Sequence, residues 1–199
     1  MNIFLIGIIC FTLGFMYWID PIHKLDIKLT RFLYRALRIF PGISFFQEVW
    51  IFGKTPVAIL VILYLIGTNF WLGVTALLVF VIRAGIERFL KVSLGRPRPF
   101  LALQDVEMTQ PKTPTDPSFP SGDCVNVWFL IIVLHGTLNT TWPVEILFYL
   151  VALSVSLGRM GLGVHYFSDV LSGAGLGLLA GKATTLIWQT IPFPVFGIP

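Results

Sequence analysis

Apolar residues in this chain come in long blocks, not in the short alternations of half-buried strands. Six blocks approach helix-spanning length: roughly Asn2 to Ile19, Trp50 to Ile66, Phe70 to Leu90, Cys124 to Leu138, Pro143 to Leu162 and Phe167 to Ile187. Runs of about twenty apolar residues cross a hydrocarbon core as helices. A helix satisfies its own backbone in lipid, whereas a barrel would show shorter segments of alternating polarity. The pattern predicts an all-α protein, a six-span transmembrane helical bundle forming a single integral-membrane domain over residues 1–199.

Composition strengthens this. Of the 199 residues, 56% are hydrophobic and 12% charged, and mean hydropathy is +0.84, which leaves too little polar surface for an ordinary soluble globule. The first block lacks the basic leader and small-residue cleavage site of a signal peptide, so it is expected to stay as a span. Cys10 and Cys124 lie far apart and suggest neither a disulfide framework nor a metal pair.

Two connections are long. Asp20 to Val49 interleaves Lys24, Lys28, Arg31, Arg35 and Arg38 with Ile27, Leu33, Leu37 and Ile39. That spacing predicts a basic amphipathic helix lying along the lipid headgroups between spans one and two. Val92 to Gly122, containing GRPRP and PKTPTDPSFPSG, reads as irregular backbone; loops of this size in compact domains are functional or disordered. Alternation of six spans puts both long connections, and the link between spans five and six, on one face. The chemistry-capable residues gather there.

Three clusters carry the chemistry. In KVSLGRPRP (Lys91 to Pro99), Lys91 supplies a point charge, and Arg96 and Arg98, in a proline-stiffened loop, offer planar forks suited to phosphate oxygens. Taken alone, such residues more ordinarily snorkel to the headgroups at the end of a span. In PSGD (Pro120 to Asp123), the amides of Ser121 and Gly122 at a helix start form an anion site, although an ordinary helix cap would look the same. In GRMGLGVHYFSD (Gly158 to Asp169), His165 and Asp169 are four apart and share a face if helical, with Arg159 nearby. An Asp so placed orients a nucleophilic or basic His, or merely caps the helix beside it. Ionisable groups at membrane depth are expensive, which favours function. Elsewhere, Arg83 and Glu87 are expected to form a structural ion pair, and Gly173, Gly177 and Gly181 to let helices pack closely.

The ordered set K-x6-RP, PSGD and R-x5-H-x3-D, over about Thr55 to Gly181, resembles the type-2 phosphatidic acid phosphatase superfamily. That family's signature reads K-x6-RP, PSGH and SR-x5-H-x3-D; here Gly158 replaces the Ser and Asp123 the His. The resemblance implies a membrane lipid phosphatase with its motif-bearing core at about 55–181, no metal or other cofactor and no nucleic-acid partner. It implies that His165 attacks phosphorus to form a phosphohistidine and that Asp169 orients it. Lys91, Arg98, Arg159 and the amides at Ser121 and Gly122 would then hold the phosphoryl oxygens.

Asp123 would occupy the place of the proton donor to the leaving group. A carboxyl donates less well than a His at neutral pH, so a lipid diphosphate such as a polyprenyl diphosphate is favoured over phosphatidic acid or phosphatidylglycerol phosphate. Asp116 is the next candidate donor in the loop. A lipid phosphotransferase using the same intermediate, and a non-catalytic lipid-phosphate-binding protein, are the alternatives. The resemblance places the site on the extracytoplasmic or lumenal face, while the basic residues there would, by the positive-inside rule, turn it to the cytoplasm.

Overall fold

The structure, a computed structural model, describes residues 2–39, 43–138 and 140–191, and these contain helices and no strand. The α-helices are α1 (Ile3–Phe15), α2 (Asp20–Ile39), α3 (Ile43–Val49), α4 (Thr55–Thr68), α5 (Phe70–Leu94), α6 (Pro99–Ala102), α7 (Gly122–Thr137), α8 (Trp142–Gly161) and α9 (Phe167–Thr190). Three segments are long and apolar enough to cross a membrane: Phe70–Ala102, Trp142–Gly161 and Phe167–Thr190. Two bent pairs raise the number to five, α1 with α2 at 106° and the Ile43–Gly53 segment with α4 at 45°. α7 is apolar but has only 16 residues, about 24 Å at the standard rise. Large apolar side chains such as Leu60, Leu78, Phe89 and Leu147 face outward, as they do in a bundle whose solvent is lipid.

The expected second span is broken. Trp50–Gly53 is a 3-10 turn, and α4 starts only after Lys54, whose backbone is extended. Gly53 makes the break possible by close approach to α7. A Cβ there would lie 2.9 Å from the Asp123 carbonyl oxygen, and Asn126 Nδ2 donates to the Gly53 carbonyl at 2.7 Å. Pro56, in the first turn of α4, is tolerated where an amide would lack a partner anyway.

α9 is the central helix, packed against α1 on one side and α7 on the other. Gly173, Gly177 and Gly181 form its α7-facing stripe. Added Cβ atoms would sit 2.6 Å from the Ser121 carbonyl, 2.6 Å from the Val125 carbonyl and 2.7 Å from Ile132 Cβ. The close packing expected of these glycines is present. Below it, Ile62, Ala76, Phe80, Phe129 and Val133 fill a core shared by α4, α5 and α7.

α2 is the expected amphipathic basic helix, but its buried stripe is polar: Asp26, Thr30 and Tyr34. Three of its basic residues do not simply face headgroups. Arg31 and Arg35 pair with Asp105 at 2.9 and 3.0 Å, and Arg38 lies 3.9 Å from Glu107. The amide of Glu107 donates to Tyr34 Oη at 2.9 Å. α2 thus pins the long loop that precedes α7.

Candidate active site

The starts of α4, α7 and α9 and the ends of α5 and α8 meet at one end of the bundle around a polar cavity of about 160 Å³. Lys91, Arg98, Gly122, Asp123, Arg159 and His165 line it. So do Lys54, Glu87 and Asp116, making four cations against three carboxylates. Asp169 and Ser121 are not on its wall; they stand behind it.

His165 lies in the link between α8 and α9, and its side chain is buried. Nδ1 is 3.5 Å from Asp169 Oδ2 and 3.5 Å from Ser118 Oγ, while Nε2 is 3.1 Å from Arg98 Nη1. A carboxylate beside Nδ1 favours the tautomer with its proton there, which leaves the Nε2 lone pair toward the cations. The two residues are four apart but do not share a helical face, because α9 begins at Phe167. Asp169 is the third residue of that helix. Its Oδ2 accepts from the Tyr166 amide at 2.8 Å in a capping box, and this turns the carboxylate back toward the His. Ser118 Oγ donates to the same oxygen.

Behind Asp169 sits Arg96, a residue without an assigned role in the motif. Its Nη1 reaches Asp169 Oδ1 at 2.5 Å and Ser168 Oγ at 2.7 Å, and its Nη2 reaches Asp26 Oδ2 at 2.6 Å. The guanidinium lies between the rings of Tyr17 and Tyr166, 3.9 and 3.8 Å from their centroids. Asp26 Oδ1 accepts from the Ser168 amide at 2.9 Å, and Thr30 Oγ1 from the Phe167 amide at 3.0 Å. Two of the first amides of α9, which no helix can satisfy internally, are therefore capped by a different helix.

On the cavity side, Lys91 Nζ is 2.9 Å from Asp116 Oδ2 and donates to the Pro117 carbonyl at 3.0 Å. Arg98 grips Asp116 Oδ1 at 2.8 Å and the Val164 carbonyl at 3.0 Å. Burial pushes the Asp116 carboxyl up, but Lys91 and Arg98 outweigh it and hold the group at about 2. Asp116 is thus ionised at neutral pH, which corrects its reading as a reserve proton donor. Arg159 is 2% exposed, and its Nε and Nη1 have no hydrogen-bond partner among the described residues. Nη1 lies 3.2 Å from Asp123 Oδ2 without hydrogen-bond geometry.

One expectation about the PSGD turn needs correcting. The Ser121 amide is not open to an anion, since it already donates to the Asp169 carbonyl at 3.0 Å. That bond ties the α7 start to α9 and leaves Gly122 on the cavity wall. Asp123 accepts from Lys54 Nζ at its Oδ2, at 3.0 Å. The expected Arg83–Glu87 pair forms at 3.2 Å, with Arg83 also donating to Asn126.

Comparison with known proteins bears on this geometry. The profile of the PAP2 superfamily matches residues 69–192. The undecaprenyl-diphosphatase of Sulfolobus acidocaldarius is 33% identical over 146 residues, a match covering 73% of this chain and 66% of that protein, just under two thirds of its length. Among solved structures, a transmembrane PAP2-type phosphatidylglycerolphosphate phosphatase from Bacillus subtilis superposes with a TM-score of 0.75 at 22% identity, covering 95% of this chain and 97% of that one. Aquifex aeolicus LpxE superposes with a TM-score of 0.70 at 25% identity, over 80% of this chain and 94% of that one. With a family profile matching well over half of its residues, and the same helical membrane fold as solved members, the chain belongs to the PAP2 superfamily.

Proposed function

We propose that this protein is a membrane lipid phosphatase that forms a phosphohistidine at His165, with a polyprenyl-type diphosphate as its favoured substrate. The observation that carries the reading is the two-sided setting of His165: a carboxylate behind Nδ1 and the cations Arg98, Lys91 and Arg159 around the cavity that Nε2 faces. In the first step the bond from Nε2 to the terminal phosphorus forms, the bridging phosphorus–oxygen bond breaks, and its electron pair leaves on the bridging oxygen as part of the lipid monophosphate. Lys91, Arg98, Arg159 and the Gly122 amide stabilise the equatorial oxygens, where phosphoryl transfer needs positioned charge most. Water then attacks phosphorus, the Nε2–phosphorus bond breaks, and the water's protons depart with inorganic phosphate.

A diphosphate is favoured because Asp123 stands where the family's signature has a His, and its Oδ2 is engaged by the Lys54 ammonium, an arrangement suited to holding a cation near the leaving group. A lipid monophosphate leaving from a diphosphate is a weak base and needs much less help. The name of the Sulfolobus relative points the same way. The lipid is expected to reach the cavity from the bilayer, since the site lies at the ends of apolar helices.

The test uses purified protein in micelles with a polyprenyl diphosphate and its monophosphate. Wild type should release phosphate faster from the diphosphate at neutral pH, and an alkaline quench should trap an alkali-stable, acid-labile phosphoenzyme. His165→Ala should abolish both signals while melting like wild type. A fully active His165→Ala protein would end the mechanism, and a wild type that prefers the monophosphate would end the substrate assignment. Trapped phosphoenzyme with release only to an added alcohol would mark a phosphotransferase instead.

A further inference from the structure

Lys54 belongs to none of the three motifs, yet it lines the same cavity as His165. The chain break between the Trp50–Gly53 turn and α4 puts it there, and its neighbours hold it in place. Its ammonium sits 3.7 Å above the Trp50 ring and 3.0 Å from Asp123 Oδ2. Among the described residues, the Asp123 contact is its one hydrogen bond. An ammonium has three donors, so two are left for a ligand, and the side chain keeps 30% of its surface open. Next to it, Arg159 is buried; its Nη1 lies 3.2 Å from Asp123 Oδ2, and neither Nε nor Nη1 makes a hydrogen bond among the described residues. A buried guanidinium with idle donors is costly and is what an anion site looks like from the protein's side.

We propose that Lys54, positioned by Asp123, is the catalytic group that receives the leaving phosphate of a lipid diphosphate. This rests on the phosphatase reading above and deepens it. The cavity then has two ends. The phosphoryl group to be transferred lies at Arg98, Lys91 and His165, and the lipid-proximal phosphate lies at Lys54, with Arg159 beside Asp123 between them. When the bridging phosphorus–oxygen bond breaks, its electron pair becomes a charge on the departing lipid monophosphate, and the Lys54 ammonium neutralises it in place. No proton need move: a trianionic diphosphate and a neutral imidazole become a dianionic monophosphate and a phosphohistidine of net charge minus one. Asp123 in place of a His is then a change of device, from a proton donor to an anchor for a fixed cation. A purely structural ion pair would account for the Lys54–Asp123 contact, but not for its position on the cavity wall or for the idle donors of Arg159.

The experiment compares wild type, Lys54→Gln, Asp123→Asn, the double variant and Lys54→Arg. Each is assayed on a polyprenyl diphosphate and for inhibition by inorganic pyrophosphate and orthophosphate, with detergent melting as the folding control. Loss of one charge-assisted contact should weaken pyrophosphate inhibition about 10–100-fold in Lys54→Gln. Orthophosphate needs only the His165 end, so its inhibition constant should move less than about threefold. The kcat on the diphosphate should fall by a similar factor. The double variant should be no worse than the weaker single one within about threefold, as for residues acting as a unit, and Lys54→Arg should recover part of the pyrophosphate affinity. An unchanged pyrophosphate-to-orthophosphate ratio in a folded Lys54→Gln protein overturns this inference and leaves the phosphatase reading standing. A wild type that releases no phosphate overturns the reading itself. If Lys54→Gln does not fold, the same ratio in Asp123→Asn decides: a tenfold change supports the assignment and no change refutes it.

Discussion

His165 is neutral where it has to act. Burial is the larger cause and the charges of Arg98, Arg159 and Lys91 add to it, with Asp116 working the other way, so the imidazole pKa lies well below 6.5. The unfolded chain takes up a proton near 6.5 that the folded site refuses. The contribution of this group to stability is therefore complete above 6.5 and is lost as pH falls through that value toward the lower folded one. The acid limb of kcat/KM, which reports the free enzyme's base, should accordingly lie below 6.5 for the imidazole. Nitrogen-15 histidine NMR should find His165 unprotonated at pH 6, and a ring already half-protonated at 6.5 would contradict the site electrostatics. At this scale the motif residues were legible because chemistry constrains their spacing: Lys91 and Arg98 grip one carboxylate, and His165 precedes its Asp169 by four residues. Asp26, Lys54 and Ser118 were not. Asp26 meets Arg96 across 70 positions and Lys54 meets Asp123 across 69, and a charged letter alone does not say which distant partner it faces.

Among the elements, α2 shows how a hydropathy pattern can identify a helix and miss what that helix does. Its apolar residues mark it as amphipathic, but the stripe that packs inward is Asp26, Thr30 and Tyr34, residues that a hydropathy scale assigns to water. They are buried because they carry hydrogen bonds to the start of α9 and to the loop. The second span failed as one helix for a related reason: Trp50 to Ile66 carries a single charge, Lys54, and that residue is where the helix breaks. Removing Asp26 tests the α2 contact. Asp26→Ala leaves Arg96 buried with one carboxylate in place of two and the Ser168 amide without its acceptor. Breaking a buried pair in this way costs about 3–5 kcal/mol, so the melting temperature should drop. Because Arg96 also holds Asp169, kcat should fall with KM little changed, and Asp26→Asn, which still accepts from the amide, should recover part of the stability. An Asp26→Ala protein with wild-type melting and wild-type kcat would show that α2 does not support the site.

Across the whole molecule, helix direction collects the site at one end, whereas the short α4–α5 and α7–α8 links lie at the other. Which compartment that end faces is a matter of charge against kinship. Arg31, Arg35, Lys91 and Arg98 all have carboxylate partners, so they are weak topology signals, and we expect the extracytoplasmic or lumenal face. A single reporter cysteine between Gln104 and Thr115 should label with an impermeant reagent from that side, and labelling only from the cytoplasm would reverse the assignment. The trans-capping of α9 by α2 has a further consequence. The family profile matches from residue 69, and a chain starting at Thr55 would carry every motif residue. It would still lack Lys54, the tyrosine ring of Tyr17 and the carboxylate of Asp26, so its nucleophile would rest on a helix whose first amides are bare. The recognisable unit is smaller than the portable one: grafted alone, the three motifs would transfer the grip on phosphate and leave behind what keeps it aimed.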